Sequence, residues 1–521
     1  MTLNGEPRTI VGVLAKGFEV PDQSELWVST IHELPVLPGF LDGLTVRDAS
    51  YLRAVARLKP GITLARAQAE LDAISSRLTK DYPDSNQGHL LRAATLQSTI
   101  VGDAREPLLL LLGGVVLVLL IACANVSGLQ LARGAAGERD LAVRAALGAS
   151  RWQLVRQLLI ESTVLALFGG ALGVVASWWG VKLLVALAGP SLPRSAEVTI
   201  DGTVLAFAAG LSMLSGIASG LLPALLASRP RSIAALRTGA MAAAPAHARL
   251  RGALVTVEVA LAFMLLTGAA LLVRSFERLR DVDPGFHAEG VIVLPVSHEE
   301  QGAAQFHAEL ARRVSALAGV HAAGSVFRLP MARSSMTGDI TPEGRPPRAG
   351  DYMAATQIVA GDYFHAMGIP LLAGRALTAA DTKTSARVAV VNQAFARRFF
   401  PGADALGKRF CYGVADAHTT EWFTVVGVAA DVRQASLAQA AQPEAYYPLE
   451  QAPAPPVEMT LVARTDLGFA AFLHALQGEL EADQPLTRAR TLEETVSTTL
   501  QRRRLSMILL AAFSGCALLL A

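Results

Sequence analysis

The residues whose spacing comes nearest to a known chemistry lie at positions 399–410, FFPGADALGKRF. Gly402, Gly407 and Lys408 fall close to where a phosphate-binding loop would have them, which would make the chain a nucleotide hydrolase. Such a loop follows a strand and opens a helix, so that helix N-terminal amides face the phosphates and a hydroxyl after the lysine holds the metal. Here the order is reversed. The helix-like NQAFARRFF comes first, Arg409 stands in the hydroxyl position, and RFCY after it looks strand-like or irregular. The nearby apolar run at 388–391 ends in Asn392 and not in the Asp of a metal-binding strand. The expectation is a glycine-bounded turn carrying a solvated Lys408–Arg409 pair.

Other chemistries find no footing. HExxH and GxSxG are missing, and no carboxylate pair is brought together by spacing alone. His287, His298 and His307 are the nearest histidines to one another, but they share no helical or strand face and are expected to be solvated. Cys123, Cys411 and Cys516 form no CxxC pair. No catalytic, cofactor-binding or metal-ligating residue is expected, and no cofactor in this chain.

The elements around these residues are those of a membrane protein. Of 521 residues 52% are hydrophobic and 17% charged, with mean hydropathy +0.39, well off the usual soluble balance. A net charge of +2 gives no reason to expect a nucleic-acid partner. Five stretches qualify as spans, near 108–131, 163–187, 203–227, 252–273 and 506–521. Arg133, Arg139, Arg144, Arg151 and Arg156 lie between the first two; Arg229, Arg231, Arg237, Arg249 and Arg251 lie between the third and fourth. The positive-inside rule puts both loops in the cytoplasm, and residues 1–105 and 275–500 outside. An exported N-terminal region calls for a signal peptide or a preceding span, and MTLNGEPRTIVGVL is neither. The sequence therefore reads as a piece cut at both ends.

Two copies of one plan are expected. Thr9-Ile-Val-Gly-Val13 recurs as Thr424-Val-Val-Gly-Val428, and AVARLKPGITLARAQAELDA (54–73) is echoed by LVARTDLGFAAFLHALQGEL (461–480). Short β-rich runs at 291–295, 387–391, 423–428 and 459–463 interleave with helical spacing at 303–317, 392–399 and 468–481, which implies an α+β domain. MAAAPAHA at 241–248 reads as a flexible linker.

The polar segment between the first two spans is the most informative. Residues 138–147 make about three helical turns, with Asp140 and Arg144 as i,i+4 partners and Val143 and Leu147 on the apolar side. Gly148 suits a helix stop, and Ser150 with Gln153 has capping-box spacing for a helix that runs into the second span. The segment is either a lever taking force from a cytoplasmic partner or an amphipathic helix resting among lipid headgroups.

The run ACANVSGLQLARGAAGERDLAVRAALGASRWQLVRQLLIESTVLALFGGALG closely resembles permeases of the MacB/FtsX type, membrane subunits of ATP-binding-cassette systems. VAGDYFHAMGIPLLAGRALTAADT with VAVVNQAFARRFFPGADALGKRF looks like the extracytoplasmic MacB-type domain, of which the opening turn is then a recurring part. LVTVEVALAFMLLTGAALLVRSFERLRDVDPGF looks like the first span of a second module, as in duplicated orphan permeases without a fused ATPase. The resemblance implies an α-helical integral membrane protein with extracytoplasmic α+β domains, built from two tandem FtsX-like modules, both incomplete. The expected boundaries are 1–105 (first MacB-like domain), 106–227 (permease domain), 228–251 (linker), 252–274 (span), 275–503 (second MacB-like domain) and 504–521 (cut span).

It also implies that Glu138, Arg139, Asp140, Val143, Arg144, Leu147 and Gly148 form a coupling helix that docks a separate cytoplasmic ATPase. Gly169 with Gly173, and Gly216 with Gly220, permit close helix approach; Asn125 can bond across helices. Glu161 and Glu258 lie near the inner face, where snorkelling or pairing with elbow arginines would spare them the cost of hydrocarbon. The expected function is mechanotransmission in a bacterial plasma membrane, driving efflux of a substrate already outside. Membrane lipids, periplasmic or outer-membrane components and a second permease copy are further expected partners. A regulatory scaffold controlling an extracytoplasmic cell-wall hydrolase is the alternative.

Overall fold

The computed structural model describes residues 2–3, 6–15, 26–28, 54–86, 90–136, 150–188, 199–227, 245–298, 302–331, 336–346, 352–413, 421–452, 455–480 and 486–521. The chain divides into two compact units, Met1–Leu96 with Leu279–Thr499, and Gln97–Arg278 with Leu500–Ala521.

The N-terminal part of the first unit carries two short paired strands, β1 (Thr2–Leu3) and β2 (Glu6–Pro7), and helices α1 (Leu64–Asp81) and α2 (Pro83–Asn86). Thr63 caps α1 by accepting from Arg66 N at 3.3 Å.

The second unit is helical: α3 (Leu96–Ala136), α4 (Arg151–Ala188), α5 (Gly202–Ala227), α6 (Pro245–Arg280) and the latter part of the C-terminal helix α11 (Leu492–Leu520). Among the described residues five segments are long and apolar enough to cross a membrane: Arg105–Arg133, Val155–Ala186, Gly202–Leu221, Arg251–Arg280 and Arg503–Leu520. They coincide with the stretches expected from hydropathy. Between apolar helices in lipid, hydrogen bonds and close packing replace the hydrophobic effect as the source of adhesion. Gln130 Nε2 donates to Ser162 Oγ at 2.7 Å, Ser127 Oγ to the Ser219 carbonyl at 2.8 Å, and Ser514 Oγ to the Leu265 carbonyl at 3.0 Å. Asn125 does bond across helices, donating to the Leu520 carbonyl at 2.6 Å. A small apolar core of Ile121, Ala262, Leu265, Ala269, Leu510 and Ala517 ties α3, α6 and α11 together.

The rest of the first unit is an α+β domain, its strand pairings antiparallel except β10 with β8 and β11 with β6. Its elements are β3 (Val291–Ser297), α7 (Ala303–Ser315), β4 (Val320–Val326), β5 (Met336–Pro342), β6 (Met353–Gly361), α8 (Tyr363–Met367), β7 (Leu371–Gly374), β8 (Val388–Asn392), α9 (Gln393–Phe399), β9 (Arg409–Tyr412), β10 (Phe423–Ala429), β11 (Glu444–Pro448), β12 (Glu458–Thr465), α10 (Phe469–Gln477), β13 (Arg490–Thr491) and the start of α11. The strands run in the order β11-β8-β10-β9-β5-β6-β4-β12-β3-β13, with β7 on β10. Because β11 also pairs with β6, the first six strands close into a ring, which leaves β4, β12, β3 and β13 as an open sheet.

Each half has its own core. Val391, Phe395, Phe399, Phe410, Phe423, Val425 and Tyr447 fill the ring. Ile292, Leu294, Leu310, Val314, Leu461, Ala463, Phe472 and Leu476 lie between the open sheet and helices α7 and α10. Buried aromatics of this kind contribute roughly 2–3 kcal/mol each. Strand β6 belongs to both halves: it pairs with β5 and β11 on the ring side and with β4 of the open sheet.

Candidate functional site

The phosphate-loop lookalike is a turn. Gly402 and Gly407 both take left-handed backbone, at φ 74° and 72°, after the end of α9. Gly407 N donates to the Val425 carbonyl at 2.9 Å and Lys408 N to the Ala405 carbonyl at 3.1 Å. Arg409 begins β9 and binds the Glu343 carboxylate through Nε at 2.9 Å and through Nη2. A turn built this way tacks β9 to β10 and spends the amides of Gly407 and Lys408 on the protein's own carbonyls. Lys408 and Arg409 are both exposed, as expected of a solvated pair, and Arg409 is ion-paired besides.

The three histidines have separate tasks. His287 Nδ1 lies 3.0 Å from the Gly368 carbonyl. His298 stacks on Phe306 with centroids 4.2 Å apart. His307 is 1% exposed against the Val457 carbonyl, and burial lowers its pKa, with a smaller opposing effect from that hydrogen bond. The expectation of a solvated surface histidine fails for His307, because the apolar face of α7 that carries it packs inward. Among the described residues no three His, Cys, Asp or Glu side chains are grouped to hold a metal.

The expected coupling-helix residues Glu138, Arg139, Asp140, Val143, Arg144, Leu147 and Gly148 lie outside the described residues. Two residues further on, Ser150 N donates to Gln153 Oε1 at 2.7 Å and Gln153 N to Ser150 Oγ at 3.3 Å, a reciprocal capping box that starts α4. Two of the four candidate packing glycines sit against another helix. A Cβ at Gly216 would strike Thr163 and Ala166, and one at Gly220 would strike Ser162, so α5 lies on α4 at backbone distance. Gly169 and Gly173 meet nothing within 4 Å. Glu258 is 5% exposed and its Oε1 has no partner among the described residues. The elbow arginines 139 and 144 expected near it fall outside them.

The most tightly built polar site is where the chain passes from α6 into β3. Gly285 takes φ +84°, and a Cβ there would run into the Asp431 carbonyl. Arg433 N donates to the Pro284 carbonyl at 3.0 Å, and His287 N to the Met367 carbonyl at 2.9 Å. Over this loop lies Arg464 of β12. Its guanidinium donates to the carbonyls of Ala366 at 3.1 Å, Glu289 at 2.9 Å and His287 at 2.8 Å. Partial burial lowers the Arg464 pKa, yet three carbonyl acceptors suit a charge that arginine keeps. One side chain thereby fixes residues 287–289 to β12 and α8, while Asp431 and Arg433 fix residues 284–285 to the end of β10.

The departing chain is held beside the arriving one. In β13, Arg490 pairs with Val293 and Thr491 with Ile292 of β3. Thr491 Oγ1 accepts from Glu494 N at 3.1 Å, and Glu494 Oε2 accepts from Thr491 N at 3.2 Å, so α11 begins with a capping box. Leu492 is fully buried just after it. Both membrane-bound connections of the domain therefore share strand β3. Sequence reasoning passed over Arg464 and Gly285, since their partners are far away in the chain. T-L-E-E at 491–494 was a local signal that could have been read.

Two family models match: an FtsX-like permease C-terminal domain over residues 112–231, covering most of α3, α4 and α5, and a MacB-like periplasmic core domain over residues 254–471. The ABC transporter permease YknZ of Bacillus subtilis (strain 168) is 30% identical over 243 residues, 45% of this chain and 55% of YknZ. A macrolide export ATP-binding/permease protein MacB of Hyphomonas neptunium is 28% identical over 239 residues, 45% of this chain and 34% of that protein. The chain thus spans between a third and about half the length of these relatives. Among solved structures, the periplasmic region of MacB from Actinobacillus actinomycetemcomitans aligns with TM-score 0.29 and 14% identity, over 42% of this chain and 95% of that one. Residues 112–231 thus match an FtsX-like permease domain and residues 254–471 a MacB-like periplasmic core domain, on a chain whose described residues include five helices long and apolar enough to cross a membrane, and the relatives it resembles are ABC transporter permeases.

Proposed function

We propose that this chain is a permease that transmits force. A separate cytoplasmic ATPase moves the elbow at 138–148, and the membrane helices carry that motion to the α+β domain on the outer face of a bacterial plasma membrane. The domain then expels a substrate that is already outside. The observation that carries this reading is the shared footing on β3. The chain from α6 arrives under the Arg464 clamp, and the chain to α11 leaves through β13 on the same strand. A displacement of either helix end enters the domain at one place with little slack.

The TIVGV and TVVGV echo supports a tandem plan of two modules. Exposed Phe168, Leu172, Trp178 and Trp179 on α4 supply a face for membrane lipid. Gly169 and Gly173 on the same helix leave room for a second copy or another membrane partner.

Impermeant maleimide labelling of intact cells tests the sidedness on which this depends. In a background lacking Cys123, Cys411 and Cys516, Lys383→Cys reacts from outside, and Val143→Cys reacts only after permeabilisation. Val143→Cys reacting from outside overturns the reading, as does ATP hydrolysis by the purified chain alone.

A further inference from the structure

The buried titratable group that force transfer leaves unused is Glu444. It opens β11, the strand that closes the ring onto β6, and it is 0% exposed. Its Oε1 accepts from Gln434 Nε2 at 2.7 Å and its Oε2 from the Tyr446 hydroxyl at 2.7 Å. Gln357 of β6 also hydrogen-bonds the carboxylate. All three donors are neutral. The backbone is held as well: Glu444 N donates at 3.0 Å to Asn392 Oδ1, the atom that caps α9. In register, Glu444 lies opposite Ala355 and Tyr446 opposite Gln357, so the cluster sits on the strand that both halves of the domain share.

Among the described residues no cation acts on it as a counter-ion. Asp431, beyond β10, raises the Glu444 pKa further, and its own partner is Arg397 at 2.7 Å. Tyr363 of α8 is 1% exposed, its hydroxyl is buried without a hydrogen-bond partner, and its ring centroid is 6.3 Å from that of Tyr446. The Glu444 charge reaches Tyr363 and Tyr446 alike, and both phenols stay neutral. Burial, opposed by the three hydrogen bonds and assisted by Asp431, pushes the Glu444 carboxyl up to about 7.

We propose that Glu444 is a proton-operated lock at the closure of the ring, holding β11 on β6 when neutral and loosening it when ionised. An arrangement in which a carboxyl takes up a proton more readily than it does in water is stabilised by protons. The contribution is fully present below the ordinary carboxyl value of 4.5 and is lost as pH rises through about 7. Alkaline conditions outside the membrane thus loosen the domain at β6, and acid tightens it.

Hydrogen exchange of the full chain in detergent, corrected for intrinsic rates, tests the lock. Protection of β6 and β11 is expected to fall roughly thirtyfold between about pH 5.5 and about pH 8.5. In Glu444→Gln, which keeps shape and loses the charge, the profile is flat. Tyr446→Phe removes a donor that favours the ionised form, so its midpoint moves to higher pH. That movement separates a titration from simple loss of packing, and it remains measurable if Glu444→Gln fails to fold. A flat profile in the native chain, a native slope in Glu444→Gln, or an unmoved midpoint in Tyr446→Phe overturns the proposal.

Discussion

Thr9-Ile10-Val11-Gly12-Val13 and Thr424-Val425-Val426-Gly427-Val428 are almost the same five residues in two settings. The second is the heart of β10, with β8 parallel on one side and β9 and β7 on the other, and Val425 is 1% exposed. The first is irregular, and Val11 and Val13 are 98% and 94% exposed. β-branched residues favour a strand only where a pleated, half-buried surface receives them. Neighbours decide the structure here. The second halves of the two echoing stretches differ in the opposite sense. Around 461–480 the chain makes a long strand and then the nine-residue helix α10, whereas 54–73 leads into the eighteen-residue helix α1. The helix persists where the strand does not, because its hydrogen bonds are internal and the strand's must come from elsewhere.

The contrast is broken or upheld most forcefully by one charge placed in each copy. Val425→Asp buries an unpaired carboxylate in the ring and is expected to cost about 4 kcal/mol or more, with protection lost across β8, β9 and β10. Val11→Asp, at a side chain already in solvent, changes the exchange of its own region by less than about 0.5 kcal/mol. Equal effects would mean that Val11 is buried by a partner of its own. Glycine gives the second test. A Cβ at Gly427 would run into the Arg375 carbonyl, while one at Gly12 would meet nothing within 4 Å. Gly427→Val therefore costs about 2–3 kcal/mol by overpacking, and Gly12→Val leaves stability unchanged.

How far the sequence could be read depends on the same line between local and distant partners. All five apolar helices were legible, since crossing lipid is a property of one segment's composition. So were β3, β8, β10 and β12, runs of valine and its kin. The Ser150 capping box was legible as well. Strands β5 (MTGDITP), β7 (LLAG) and β11 (EAYYP) were not, because they carry too little alternation to stand out. Glu444 in β11 misleads most: a carboxylate in sequence reads as surface, and only Gln434, Tyr446 and Gln357 make its burial tolerable. The closing of the ring between β11 and β6 joins residues far apart in the chain, and no periodicity announces it. Arg464 is hidden for that reason too, its partners being carbonyls of residues 287, 289 and 366.

The smallest expected effect is the most discriminating, because it reverses the order of the two copies. Helix α1 carries its own cap: Thr63 accepts from Arg66 N. Helix α10 has Gly468 at that position, with no side-chain cap, and relies on burying Phe472 and Leu476 against the open sheet. Thr63→Ala should therefore lower the protection of the first turn of α1 by about 1 kcal/mol. Gly468→Ser should raise that of α10 by a few tenths, since the backbone there is extended and a side chain meets nothing within 4 Å. Hydrogen exchange at the two first turns reads both changes. If Thr63→Ala costs nothing, the persistence of α1 comes from packing after all, and the distinction between a locally held helix and a strand that waits for its neighbours fails at its simplest point.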